Sequence, residues 1–129
     1  MQSDRSPTVL CVDDNEDSRE MLGMLLKQWR IEAKTVGTAT QALSLIQAEH
    51  FDLYLLDTEL PDLDGFELCR RMRSVDPQTP ILFFSGAAYE SDIQKGIEAG
   101  ASAYVAKPDI EGVLGFIKQF VFDSQTAAA

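Results

Sequence analysis

Cysteine is scarce: Cys11 and Cys69 are the only two, they form no CxxC pair, and the single histidine, His50, stands apart from both. A zinc site of the Cys/His type is thereby excluded, and two reduced thiols buried in apolar stretches are expected. Long hydrophobic runs are also missing. No apolar segment approaches the ~20 residues a membrane-spanning helix needs, and Met1 to Pro7 is polar, unlike a secretion signal. A soluble, cytoplasmic protein without membrane contact follows as the expectation. Positive charge is the third shortage, with 11 basic residues against 21 acidic and a net charge of -10. Such a surface repels a nucleic-acid backbone and favours cations or basic partner surfaces, so no direct nucleic-acid binding is expected. The one basic cluster, Arg70, Arg71 and Arg73, reads as solvated helix surface. His50, near a helix end, reads the same way and is no phosphodonor.

What is present is enough for one core: 129 residues, 45% hydrophobic and 25% charged. Four short runs, Val9–Val12, Leu53–Leu56, Ile81–Phe84 and Ala103–Ala106, are apolar throughout, the pattern of strands buried on both faces. A fifth, Glu32–Val36, alternates and carries Glu32 and Lys34, as an edge strand does. Between them lie amphipathic helical patterns, one with Met21, Leu22, Leu25, Leu26 and Trp29, another with Ala39, Ala42, Leu43 and Ile46. Capping-box spacing marks helix starts at Thr38 with Gln41, Asp64 with Glu67 and Ser91 with Gln94. The helix after Ser91 contains Gly96 and is the weakest, because interior glycine costs about 1 kcal/mol relative to alanine. The last helix, from Asp109, buries Ile110, Val113, Leu114, Ile117 and Val121 and leaves Phe116 and Phe120 partly off that stripe. Five alternations of strand and helix predict an α/β domain, doubly wound around an open five-stranded parallel sheet. Residues 8–122 form that domain, with flexible tails at 1–7 and 123–129.

Ligands in such sheets sit beyond the carboxyl ends of the strands, where the winding reverses. The first strand there delivers Asp13 and Asp14, and the third delivers Asp57. Carboxylates brought within ~5 Å repel by about 3 kcal/mol per pair at an effective dielectric near 20, so the cluster must bind a proton or recruit a cation. An all-oxygen set suits Mg2+, with Mn2+ as the alternative. The fourth strand delivers Ser85 and the fifth Lys107, a hydroxyl and an ammonium that would hydrogen-bond and neutralise a phosphoryl group. Asp57 is then the nucleophile, forming an aspartyl-phosphate. Singly, Asp13-Asp14 also reads as a helix cap and Asp57 as a turn residue; the convergence of all of them carries the inference.

These residues, with Leu60-Pro61 and Asp64-Gly65 after Asp57, Gly86 after Ser85 and Pro108 after Lys107, resemble the receiver domain of two-component response regulators over nearly the whole chain. The resemblance implies a flavodoxin-like fold with strand order 2-1-3-4-5. It implies Mg2+ held by Asp14, Asp57 and the backbone carbonyl of Glu59, with Asp13 acting mostly through a metal-bound water. Lys107 would pair with the phosphoryl oxygens, Ser85 and Tyr104 would be switch residues, and the Lys107–Pro108 bond would be cis. A sensor histidine kinase or histidine phosphotransfer protein would load Asp57. The face of the fourth helix, fifth strand and last helix would then engage a downstream protein or a second copy. Glu59, two residues past the acceptor, bears on the lifetime of the phosphorylated state, and Gly86, where the family usually has alanine, loosens the loop.

Three other readings compete. A phosphatase of the haloacid dehalogenase type would use Asp57 and Glu59, but such enzymes place Asp-x-Asp after the first strand. A flavodoxin-like nucleotide binder would need a loop that cradles phosphate, whereas Asp13 to Asp17 reads Asp-Asp-Asn-Glu-Asp and repels it. A receiver that only binds proteins would not need the five site residues, all of which are present.

Overall fold

A computed structural model describes residues 6–122; of the expected tails, 1–5 and 123–129 lie outside the described residues. The chain runs β1 (Thr8–Val12), α1 (Glu16–Gln28), β2 (Glu32–Val36), α2 (Ala39–Ala48), β3 (Leu53–Leu56) and α3 (Gly65–Val75). It continues through β4 (Ile81–Ser85), α4 (Glu90–Ala99), β5 (Ala103–Ala106) and α5 (Ile110–Ile117), which passes into a π-helical turn over Lys118–Phe122. All strand pairs are parallel, and the order is β2-β1-β3-β4-β5. This is the doubly wound parallel order that the resemblance implies.

Strand parity divides the interior. Leu10, Val12, Tyr54, Leu56, Ile81 and Phe83 point to one face, where Ala39, Ala42, Leu68, Cys69, Met72 and Ala99 of α2, α3 and α4 cover them. Val9, Cys11, Leu53, Leu55, Leu82 and Phe84 point to the other, under Leu22 and Leu26 of α1 and Val113, Phe116 and Ile117 of α5. Burial of each large apolar side chain contributes about 1.5–3 kcal/mol, so both faces hold the register in which the strand ends line up. Both cysteines are free and buried, and burial pushes their thiols up, Cys11 to about 12 and Cys69 to about 11. They stay protonated at neutral pH.

Several local expectations change. Ala103–Ala106 is an edge strand, half-exposed, and is apolar because Tyr104 packs toward one core and Val105 toward the other. Phe116 is buried against the sheet, stacked 4.3 Å from Phe120, while Ile110 and Leu114 are only half-buried; the apolar face of α5 is rotated from the stripe expected. Helix α4 starts at Glu90, with Tyr89 as its cap instead of Ser91 with Gln94, because Asp92 accepts the Tyr89 N–H at 3.1 Å. Thr38 and Asp64 cap α2 and α3 as their spacing indicates, accepting from the N–H groups of Gln41 and Glu67.

Arg73 is not solvated surface. Its guanidinium donates to the carbonyls of Gly100, Asp76 and Thr79, and Gly100 closes α4 at φ 116, a conformation glycine adopts without a steric penalty. One side chain thus ties α3 to the end of α4 and to the approach to β4. Arg70 and Arg71 are exposed and pair with Glu67.

Candidate functional site

The backbone ladder extends one residue past the strand ends and places the site. Asp13 N–H donates to the Val36 carbonyl, Asp57 N–H to Val12 and Lys107 N–H to Ser85, at 3.0, 2.9 and 2.9 Å. Asp13, Asp57 and Lys107 share parity with Cys11, Leu55 and Val105, so the alternation of side chains brings the charged groups together. Lys107 Nζ lies 2.8 Å from Asp13 Oδ2 and 3.1 Å from Asp57 Oδ2. Its ammonium also sits 5.9 Å from the centroid of the Phe84 ring.

Carboxylate oxygens of Asp13, Asp14 and Asp57 all lie within 4.8 Å of one another. The Asp13 side chain is 3% exposed and that of Asp57 12%, whereas Asp14 is exposed. Asp13 Oδ1 accepts the Asn15 N–H and Asp57 Oδ1 accepts the Thr58 N–H at 2.7 Å. Burial alone would lower the Lys107 pKa, but its hydrogen bond to Asp13 and the charges of Asp57 and Asp13 outweigh that and raise it. The ammonium is therefore fixed between Asp13 and Asp57, with the Asp14 carboxylate beside them. A hard divalent cation with oxygen ligands fits this donor set.

The opposite parity carries hydroxyls. Thr58, Ser85 and Tyr104 belong with Leu56, Phe83 and the α2–α3–α4 face, and Thr58 Oγ1 lies 2.8 Å from Ser85 Oγ, both buried. Ser85 Oγ also accepts the Ala87 N–H at 3.1 Å. The Tyr104 hydroxyl donates to the Ala87 carbonyl, and its ring packs 5.5 Å from that of Phe83. Burial raises the Tyr104 pKa, with the Ser85 hydroxyl acting in the opposite direction. Glu59 is exposed on the loop that leaves β3, and the Lys107–Pro108 peptide bond is cis.

Thr58 was absent from the sequence reading. The available signal was parity: counting by twos from Tyr54 and Leu56 reaches Thr58, and from Ile81 and Phe83 reaches Ser85. Gly65 has a role that its place in the Asp-Gly pair only hints at. A Cβ there would stand 2.2 Å from the Asp57 carbonyl oxygen and 2.6 Å from Thr58 Cα, so only glycine lets α3 begin against the loop after β3. Gly65 N–H donates to the Thr58 carbonyl at 2.8 Å. Asp62, further along that loop, accepts from Ala39 N–H, Thr40 N–H and the Thr40 hydroxyl, which ties the loop to the start of α2.

A sequence model of the response regulator receiver domain matches residues 9–115. The chain is 35% identical over 102 residues to the transcriptional regulatory protein AfsQ1 of Streptomyces coelicolor, a match covering 79% of this chain and 45% of that protein. It is 35% identical over 91 residues to the autoinducer 1 sensor kinase/phosphatase LuxN of Vibrio campbellii, covering 70% of this chain and 11% of that protein. The chain thus corresponds to less than half of either relative. A CheY-like response regulator receiver domain protein from Methanospirillum hungatei superposes with a TM-score of 0.87 at 28% identity, over 97% of this chain and 100% of that one. A phosphatase of the haloacid dehalogenase type is not favoured. Because the family match runs through every strand and takes in Asp13, Asp14, Asp57 and Lys107, the chain belongs to the receiver domains of two-component response regulators.

Proposed function

We propose that Asp57 accepts a phosphoryl group from a phosphohistidine on a sensor histidine kinase or histidine phosphotransfer protein, in a reaction that depends on Mg2+ or Mn2+. The observation that carries this reading is the placement of one ammonium, Lys107, between Asp13 and Asp57 in a three-carboxylate cluster. Asp13, Asp14 and Asp57 would hold the cation, with the Glu59 carbonyl. When bound, it would offset the repulsion between an anionic attacker and an anionic donor. An Asp57 oxygen attacks phosphorus, the bond to the donor nitrogen breaks, and the imidazole leaves with that electron pair. Lys107 exchanges its carboxylate contact for the new phosphoryl oxygens, and Ser85 donates to another. Tyr104 follows through the loop after β4.

The output surface is α4, β5 and α5. Tyr89, which caps α4, and Ile93 and Ile97 on it are spaced by four and are 80%, 38% and 47% exposed; that apolar line suits a downstream protein or a second copy. Residues 8–122 are the working unit, acting in the cytoplasm and without direct nucleic-acid contact of their own, a reading supported by the acidic balance of the chain.

Incubation with Mg2+ and a small acyl-phosphate, followed by intact mass, tests the acceptor. Wild type should gain one phosphoryl group and Asp57→Asn none. No gain in wild type, together with no beryllofluoride binding, or an undiminished gain in Asp57→Asn, would overturn the proposal.

A further inference from the structure

The hydroxyl pair of Thr58 and Ser85 is the polar contact that the charged cluster leaves unexplained. A hydroxyl carries one proton and two acceptor lone pairs. Ser85 Oγ spends one lone pair on the Ala87 N–H at 3.1 Å and meets Thr58 Oγ1 at 2.8 Å. Ser85 is 1% exposed and Thr58 5%, so water does not compete for either group.

The proton between the two oxygens can belong to either residue. Once Ser85 turns its only proton to a phosphoryl oxygen, however, the contact survives in one form alone, with Thr58 as donor. Within the pair, the two arrangements differ only by rotation of hydroxyl protons. In the loaded form Ser85 Oγ would accept from Ala87 and from Thr58 and donate to the phosphoryl group, which satisfies all of its hydrogen-bonding capacity. Thr58 is placed to couple the two events, since its own N–H donates to Asp57 Oδ1 at 2.7 Å. The Ala87 carbonyl in turn accepts from the Tyr104 hydroxyl, so the same string of contacts runs from the acceptor to the face of β5.

We infer that Thr58 is a positioning residue: its hydroxyl donates to Ser85 and thereby frees the single Ser85 proton for the phosphoryl group on Asp57. This rests on Asp57 as acceptor. Valine matches the shape of threonine but cannot donate.

The test is beryllofluoride affinity in saturating Mg2+, measured by titration for wild type, Thr58→Val, Thr58→Ser, Ser85→Ala and the Thr58→Val/Ser85→Ala double variant, with Mg2+ affinity measured alongside. Thr58→Val should bind beryllofluoride about fivefold more weakly, the factor equivalent to roughly 1 kcal/mol for one hydrogen bond. Its Mg2+ affinity should be unchanged, and Thr58→Ser should stay within about twofold of wild type. In the Ser85→Ala background the valine substitution should add nothing, because the partner through which it acts is gone. A merely structural role would instead weaken Mg2+ binding and add to Ser85→Ala. If Thr58→Val does not fold, Thr58→Cys, a weak donor of similar size, should show the same loss. Affinity of the valine variant within twofold of wild type, or full additivity in the double variant, overturns the inference and leaves Asp57 as acceptor intact. Failure of wild type to bind beryllofluoride removes both.

Discussion

The two ends of the sheet treat the same side chain in opposite ways. At the amino end, Asp76 accepts from the Tyr54 hydroxyl at 2.7 Å, the Thr79 hydroxyl at 2.6 Å, and the N–H groups of Thr79 and Gln78 at 3.1 and 3.2 Å. Burial pushes this carboxyl up, but the Thr79 and Tyr54 bonds outweigh it and hold the pKa at about 2. At the carboxyl end, Asp13 and Asp57 share one ammonium, and Asp14 stands beside them with none of its own. A carboxylate surrounded by donors is a structural anchor; three that are short of positive charge are a candidate site for a cation. What distinguishes a fastener from a site in this molecule is the supply of donors around the acid.

The sharpest way to break the contrast is at Gly65, where the carboxyl end is held by close packing and not by donors. Gly65→Ala should lower stability by about 3 kcal/mol, read as a fall in the urea midpoint, and should weaken metal binding with it. Gly115→Ala is the control: nothing lies within 4 Å of its added Cβ, and the helix should gain about 0.5–1 kcal/mol. Equal effects at the two glycines would mean that the loop after β3 does not require Gly65.

Asp76→Asn tests the fastener. It should cost about 1 kcal/mol at pH 7, allowing for solvent screening of a partly exposed group. The folded carboxyl titrates near 2 and the unfolded one near ~3.9, so the unfolded chain binds more protons between those values. The stabilisation is then complete above about pH 4 and lost as pH falls toward 2. Wild-type and variant unfolding curves should therefore converge on acidification; a gap that stays constant with pH would assign the effect to packing instead of charge.

The smallest effect is expected at Asp14, which is exposed and makes no hydrogen bond or ion pair among the described residues. Asp14→Asn relieves repulsion without breaking a contact, so it should raise stability without metal by about 0.5 kcal/mol. With Mg2+ the order should reverse, because wild type gains more from the ion. Thermal melts with and without Mg2+ would show this as a change of sign, and the same sign in both would mean that Asp14 is no ligand.

Legibility followed the range of the interaction. Val9–Val12, Leu53–Leu56 and Ile81–Phe84 could be read as buried strands because apolar continuity is written in consecutive residues, and Asp13, Asp57, Ser85 and Lys107 could be placed because each ends such a run. Thr38 and Asp64 could be read as caps because their partners are three residues away. Arg73 could not be distinguished from Arg70 and Arg71, since its partners Gly100 and Thr79 are fixed by how α3 packs beside α4 and β4. Asp62 carries no capping signal in the sequence, because the helix start it caps is α2, 22 to 23 residues earlier. The rotation of α5 that buries Phe116 is decided by the shape of the sheet beneath it, and a stripe three residues in four allows more than one choice.

By itself the sequence determined which residues reach the carboxyl edge: hydrophobic continuity defines the strands, and the first polar residue after each strand must emerge there. Which of those residues meet was decided by tertiary structure. The order β2-β1-β3-β4-β5 sets β1 and β3 side by side and brings β5 close enough for Lys107 to span Asp13 and Asp57. Parity then sorts the polar groups, the charged set on the side of α1 and α5 and the hydroxyl set on the side of α2, α3 and α4. The physical reason is that alternation along a strand is local, whereas register between strands is enforced only when both faces of the sheet are packed.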